Sequence, residues 1–304
     1  MTESLAAPGV YMDGETGDLV EEKIVQSRLF TRLYAHPTGR FLRDRLMRSR
    51  ALHRAVRAFA NSRLSRPMIR KLVNNADINL SEAEFAPEQY ACFNAFFTRR
   101  LKPDVRTIDR NGDTLVAPAD GKLLAFDCPD TAESITVKGI RLSVAELLDR
   151  PHEAIETLCG GQLAIIRLYL GDYHRFHVPV SGRVIERYGI PGHFYSVSPF
   201  PGTDIGFYKR KIRRVTEIEN ERFGRVTVVA IGGFLISSIQ ETSSDNRVEK
   251  GEEMGYFEFG GSTLVVLTER GRAGFHEALL RNSRDHLETY VKLGSAIASG
   301  EPAS

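Results

Sequence analysis

Apolar and polar positions change period along the chain. From about Glu22 to Val73 the spacing is helical. Leu52, Val56 and Phe59 recur at threes and fours, with Arg63 continuing the row. An earlier helix is predicted to carry Leu29, Phe30, Leu33 and Tyr34, and Pro37 and Gly39 set it apart. A further helix is predicted to begin near Ser81 to Pro87, where Ser81 and Glu84 have the spacing of a capping box and Pro87 suits a first turn. Phe93, Phe96, Phe97 and Leu101 form its apolar stripe, and Pro103 helps to end it. After Asp113 the pattern becomes that of strands, predicted over 114–117, 122–126, 135–137, 163–169, 182–188, 194–197, 214–218, 225–231, 235–241, 255–259 and 264–268. Residues 143–148 read as a brief helix and 274–293 as mixed, helical in part. Short strands with close turns predict a sandwich or barrel. The fold class is therefore α+β: an N-terminal basic helical segment followed by a mainly antiparallel β sandwich or barrel-like domain. Residues 1–22, rich in Gly, Asp and Glu, read as a flexible lead-in, 23–110 as the helical region and 111–304 as the β-rich domain.

Charge changes the picture of the helical region only. The net charge of the chain is +2, which does not mark a nucleic-acid binder. The stretch from Arg40 to Lys71 holds arginines at 43, 45, 48, 50, 54, 57, 63, 66 and 70 against Asp44 alone. A basic amphipathic helix suits an anionic surface, and the bland alternative is a solvated face over the core. Few aromatic residues, Phe41 and Phe59, stand among the arginines, so nucleic acid is not expected as a partner. The three cysteines (Cys92, Cys128, Cys159) are far apart, which supports neither a disulfide framework nor a zinc site. Residues 1–22 lack the apolar run of a signal peptide, and the longest apolar stretch, 226–236, is interrupted by Gly232 and Gly233 and is too short to span a bilayer.

Three places carry candidate chemistry. Pro118-Ala119-Asp120-Gly121 lies between two predicted strands and reads most simply as a hairpin turn. Asp172-Tyr173-His174-Arg175-Phe176-His177 packs two histidines into six residues, yet in an extended chain they point to opposite faces and make poor ligands of one metal. Gly260-Gly261-Ser262-Thr263 joins two β-runs, and a serine after such a corner holds its hydroxyl in a fixed direction. Asp120, His177 and Ser262 supply the residue types of a nucleophile, its base and the group that orients the base. A serine hydrolase of the α/β type would need a second glycine after the serine, and Leu264 stands there instead.

Taken together these residues resemble the phosphatidylserine decarboxylase family. The likeness runs from about Arg28 to Leu267 and includes Phe93-Asn94-Ala95-Phe96-Phe97-Thr98-Arg99-Arg100-Leu101-Lys102-Pro103, then Pro118 to Lys122, Val137-Lys138-Gly139 and Asp172 to His177. It continues through Phe194-Tyr195-Ser196-Val197 and Lys250 to Phe257 into Gly260-Gly261-Ser262-Thr263. The resemblance implies a pyruvoyl enzyme that makes its own cofactor. Ser262 would attack the carbonyl of Gly261, with His177 as base and Asp120 orienting it. The chain would part between Gly261 and Ser262 into a longer β chain and a shorter α chain, with residue 262 left as a pyruvoyl group. That group would form a Schiff base with the substrate amine and act as electron sink for loss of CO2. His174 is the candidate acid, or assistant to decarboxylation, and Tyr173 and Ser196 are candidate substrate contacts.

The implied activity converts phosphatidylserine to phosphatidylethanolamine. The implied partners are the phospholipid and an anionic membrane surface, at the cytoplasmic face of a bacterial-type cell membrane; the oligomeric state is left open, a homo-oligomer included. Three departures bear on the substrate rather than the reaction. Leu170 replaces a usual proline; residues 231–239 carry Gly233 and Ser237 in a strand of different usual sequence; and Lys209-Arg210-Lys211 lacks the usual asparagine. The alternatives are the same chemistry on another amine-bearing carboxylate and, outside enzymes, an unprocessed lipid-binding module.

Overall fold

A computed structural model describes residues 9–22, 49–76, 78–128, 135–137, 140–192, 211–232, 239–260 and 262–300. The described chain is mostly β-sheet with few helices. The largest sheet has ten strands. From one edge they run β13 (Arg247–Val248), β9 (Gly182–Ile190), β10 (Arg213–Asn220), β11 (Gly224–Gly232) and β15 (Ser262–Thr268). The order continues β7 (Gln162–Leu168), β4 (Gly121–Asp127), β17 (Glu288–Val291), β1 (Val10–Asp13) and β2 (Leu19–Glu21). One three-stranded sheet is β12 (Ile239–Glu241), β14 (Glu253–Phe257) and β8 (Arg175–His177); another is β16 (Ala273–Phe275), β18 (Ala296–Gly300) and β3 (Thr114–Val116). β5 (Ile135–Val137) and β6 (Ile140–Leu142) pair with each other.

The large sheet is open, so the barrel-like expectation is corrected. Its edges are β13 and β2, which do not meet. Pairing is antiparallel except between β1 and β17, which run parallel. The stretch 10–21, expected as part of a flexible lead-in, carries β1 and β2. Val10, Tyr11 and Met12 suit a strand, and the surrounding Gly, Asp and Glu hide so short a run from a reading of composition.

The central strands are covered on both faces. Leu264 and Val266 of β15 face a core shared with Phe176, Phe257, Phe275 and Ile297 of the smaller sheets. Val265 and Leu267 face the other way, toward Val144, Leu147 and Leu148 of the short helix Val144–Leu148. This period-two alternation fixes the register, because a slip of one residue would reverse both faces.

The helical region is broken where it is described. Residues 23–48, with the first expected helix and Arg40 to Arg48, lie outside the described residues. Helix α1 (Arg50–Ala60) is capped by the Ser49 hydroxyl, α2 (Pro67–Asn75) starts on a proline, and α3 (Phe93–Phe97) is a short helix capped by Cys92. Phe59 is not on the buried face of α1; His53 and Ala60 are. The expected Ser81 cap is likewise replaced: the Asn79 side chain accepts from the Ser81 amide at 3.2 Å and starts a single tight turn. Ile69, Leu72, Phe93, Phe96 and Phe97 then form a third core, against which Leu170 and Phe259 pack.

Candidate active site

Ser262 opens β15 and is bracketed by two strands, pairing with Gly232 of β11 on one side and Leu168 of β7 on the other. It is wholly buried, and among the described residues its hydroxyl has no hydrogen-bond partner. A buried hydroxyl without a partner costs free energy, which marks it as a group to be explained by chemistry. Gly261 lies outside the described residues.

Asp120 is not in a hairpin. The chain leaves β3 in a three-stranded sheet and enters β4 in the large one, so Pro118–Gly121 is a crossing between sheets. Gly121 allows the approach, since a Cβ there would meet the Arg167 carbonyl oxygen at 2.8 Å. Asp120 accepts from Arg106 Nε at 3.0 Å, from Arg106 Nη2 at 2.6 Å and from the Leu293 amide at 2.8 Å. Arg106 also donates to Glu82 at 2.8 Å. A buried carboxylate is tolerable only with such partners. Arg106 was not evident from sequence; it belongs to no motif singled out there.

The 172–177 segment is a turn followed by β8. The Asp172 carboxylate accepts from the Tyr169 amide at 2.6 Å and closes the turn. Its backbone carbonyl lies 2.9 Å from His174 Nδ1, so that nitrogen carries the hydrogen and Nε2 holds the lone pair. Among the described residues, buried His174 Nε2 has no hydrogen-bond partner. Its ring packs on Phe97 at 3.9 Å between centroids. Burial pushes the His174 pKa down to about 3. His177 is lowered to about 4, chiefly by burial, while the charges of Glu253 and Asp120 work in the opposite direction. Both imidazoles are therefore neutral near pH 7.

The structure brings His177 to the Asp120 corner: its amide donates to the Pro118 carbonyl at 2.7 Å. It does not join the three side chains into a hydrogen-bonded relay. Asp120 is engaged by Arg106 and Leu293, and His177 Nδ1, like the Ser262 hydroxyl, has no partner among the described residues. Tyr173 stacks on His177 at 5.9 Å and lines an open cleft of about 510 Å³ with Arg100, Leu101, Thr242, Glu252 and Glu253. Ser196 lies outside the described residues, as do Gly233, Ser237, Lys209 and Arg210.

Helix α3 and the residues after it touch both halves of this arrangement. Arg99 Nη2 donates to the carbonyls of Gly171 at 2.7 Å and Asp172 at 3.3 Å, which pins the turn bearing His174. Arg175 Nε donates to the Thr98 carbonyl at 3.0 Å, and its Nη1 to Glu253 at 2.8 Å. Asn94 Oδ1 accepts from the Phe259 amide at 3.0 Å. The signal for these residues lay in the quoted 93–103 motif, but nothing in that motif said what they hold.

Two kinds of comparison bear on this geometry. A family model described as phosphatidylserine decarboxylase matches residues 93–299. Among similar proteins, the phosphatidylserine decarboxylase proenzyme of Fusobacterium nucleatum is 32% identical over 95% of this chain and 97% of its own length. That of Chlamydia trachomatis is 34% identical over 95% of this chain and 96% of its own. Phosphatidylserine decarboxylase proenzyme 3 of Schizosaccharomyces pombe is 32% identical over 97% of this chain, which spans only 31% of that longer protein.

Proposed function

Because the chain belongs to the phosphatidylserine decarboxylase family, we propose that it is a proenzyme that cuts itself between Gly261 and Ser262 and then decarboxylates phosphatidylserine to phosphatidylethanolamine and CO2. The observation that carries the reading is the wholly buried hydroxyl of Ser262 at the head of a central strand, without a hydrogen-bond partner among the described residues. Each relative described above is named for phosphatidylserine, which favours that substrate over another amine-bearing carboxylate.

The cleavage uses groups of the chain alone. Ser262 Oγ attacks the carbonyl carbon of residue 261, and its proton passes to neutral His177. The nitrogen of 262 leaves that carbon and takes up the proton, so an amide becomes an ester. Loss of the 262 Cα proton then breaks the Cβ–Oγ bond and releases residue 261 as a carboxylate, the new end of the longer chain. The dehydroalanine at 262 tautomerises, adds water and loses ammonia, which leaves a pyruvoyl group. A buried serine, a neutral imidazole and enclosing strands fit a group formed in place. Once formed, that group supplies the electron sink for loss of CO2 from the bound amine. His174 holds the Nδ1–H tautomer through the Asp172 carbonyl and presents Nε2 for proton transfer. Asp120, fixed by Arg106 and the Leu293 amide, supplies negative charge that opposes the lowering of the His177 pKa. Tyr173, from the cleft wall, and Ser196 contact the headgroup.

The basic stretch is the proposed membrane contact, at the cytoplasmic face. Arg54, Arg63, Arg70 and Lys71 are exposed there. Leu64 is 78% exposed and Phe59 44%, apolar groups suited to the bilayer boundary. Among the described residues no helix is long and apolar enough to cross a membrane.

The deciding measurement is intact mass. Wild type is expected as two chains, the shorter blocked to Edman chemistry because it lacks an amine. Ser262→Ala is expected to stay one chain. Active protein consisting of one uncut chain would refute the reading.

A further inference from the structure

Self-cleavage demands that the carbonyl of residue 261 be held against the Ser262 hydroxyl. The Ser262 side of that bond is fixed by the ladders to Gly232 and Leu168. Strand β14, which leads to the bond from the other side, ends at Phe257. Its last residue, Phe257, pairs with Ile239 of β12, and its amide donates to the His174 carbonyl at 2.9 Å. Something other than a ladder must therefore hold residues 258–260.

Two buried polar side chains stand at that place, Asn94 and Glu258, each about 5% exposed. Asn94 Nδ2 donates to Glu258 Oε1 at 3.2 Å and to Asn61 Oδ1 at 3.1 Å. The carboxylate can only accept, and Asn61 is itself oriented by donating from Nδ2 to the Arg57 carbonyl at 2.9 Å. These partners leave one orientation for the Asn94 amide, with Oδ1 turned to the main chain. There it takes the Phe259 N–H at 3.0 Å. Glu258 is held in turn by Arg57 of α1, with Nε 2.9 Å from Oε2 and Nη2 3.2 Å from Oε1, a two-pronged contact. The Phe259 ring meets Phe93 at 4.7 Å and Phe97 at 5.3 Å, and Phe97 is the ring on which His174 packs.

We infer that Asn94 and Glu258 are positioning residues for self-cleavage: Glu258 orients the Asn94 amide, which holds the Phe259 backbone and so aims the scissile segment at Ser262. The inference rests on cleavage at 261/262 as proposed above. It gives a task to the asparagine of the 93–103 motif, and it makes Arg57 the outer support of the clamp. The same clamp retains the new carboxyl end after cleavage, because its contacts stop short of the bond that breaks. Positioning of this kind acts on rate, since a reacting pair left free to wander reacts far more slowly than one held in line.

The test follows the conversion of one chain into two by intact mass, from the moment full-length protein is made in a cell-free system. Asn94→Asp keeps an acceptor for Phe259 but sets a carboxylate against Glu258, and cleavage is expected to slow by about tenfold or more. Asn94→Ala removes the acceptor and is expected to slow it as much. The pair Asn94→Asp with Glu258→Gln restores a donor at 258 facing an acceptor at 94, while Asn61 Oδ1 still opposes that acceptor, and its rate is expected to recover at least about threefold over Asn94→Asp. Loss of packing alone would not be repaired by that exchange. Arg57→Gln, at a half-exposed side chain, is expected to slow cleavage by about threefold. Unchanged rates in Asn94→Ala and Arg57→Gln would overturn the inference, as would a double variant no faster than Asn94→Asp. A wild-type chain that never divides would instead refute the proposed cleavage itself.

Discussion

His174 and His177 stand three residues apart and face different neighbours, Phe97 for one and Tyr173 for the other. The proposal gives them separate tasks. His177→Ala is expected to leave Ser262 with its proton and so to block cleavage. His174→Ala is expected to cleave and then to decarboxylate about a hundredfold or more slowly, the range typical of a lost proton donor or acceptor. Gel analysis and a CO2-release assay on the same preparations distinguish the two, and failure of both variants to cleave would refute the division. The pH dependence of cleavage follows from burial. In the proposed role of base His177 must be neutral, and burial lowers its pKa to about 4 from the ordinary 6.5. The rate is therefore expected to stay level as pH falls from 8 to about 5 and to drop only below about 4, where the ring becomes protonated. A fall centred near pH 6.5 would show that His177 meets solvent before it reacts.

At the level of elements, α3 concentrates much in five residues. Phe97 is fully buried between Phe93, Phe259 and His174. Phe97→Ala is expected to cost about 3–5 kcal/mol in urea unfolding, the usual range for a buried aromatic truncated to a methyl. Phe93, Phe96 and Phe97 of the expected apolar stripe fall on this helix, but it is shorter than expected and Leu101 lies beyond it in a bridge to Ala83; the alternation of β15 is visible in sequence too, because local spacing reports which face is buried. The expected strand over 135–137 appears as β5 with the same bounds. Several short strands were not legible. β17 begins Glu288-Thr289, polar residues that are buried in their tertiary setting, and β1 is a few apolar residues among acidic ones. The corners at Asp120 and Ser262 could be picked out because glycine and a reactive group stand side by side. What surrounds them could not. Asn94 and Glu258 are 164 positions apart, and Arg106 reaches Asp120 from a segment with no pattern of its own. The hairpin reading of Asp120-Gly121 failed for a related reason: the dipeptide suits a turn, but it cannot say that the two strands belong to different sheets.

For the whole molecule, charge and sheet topology each have a consequence. If the exposed basic residues meet anionic lipid, each contributes on the order of 1 kcal/mol near the surface, screened within a Debye length. Vesicle co-sedimentation is expected to show stronger binding to anionic than to neutral lipid, loss of that difference at high salt, and weaker binding when Arg54, Arg63, Arg70 and Lys71 are changed to Gln. Equal binding of both proteins to both vesicles would refute the electrostatic contact. Sheet topology bears on what cleavage leaves behind. On the proposed cleavage at 261/262 the shorter piece would begin with β15, which lies between β11 and β7 of the longer one, and would also contribute β17, which lies between β4 and β1. All seven residues of β15 are buried. The two pieces are thus interleaved like the fingers of clasped hands. Once the covalent link is gone, unfolding becomes a one-way event at low concentration, because return requires two separate molecules to meet. Recovery of the mature protein from urea is expected to depend on its concentration, while Ser262→Ala recovers at a rate independent of it. On the proposed cleavage, the uncut chain carries the route into the fold, and the act that creates the catalyst erases it.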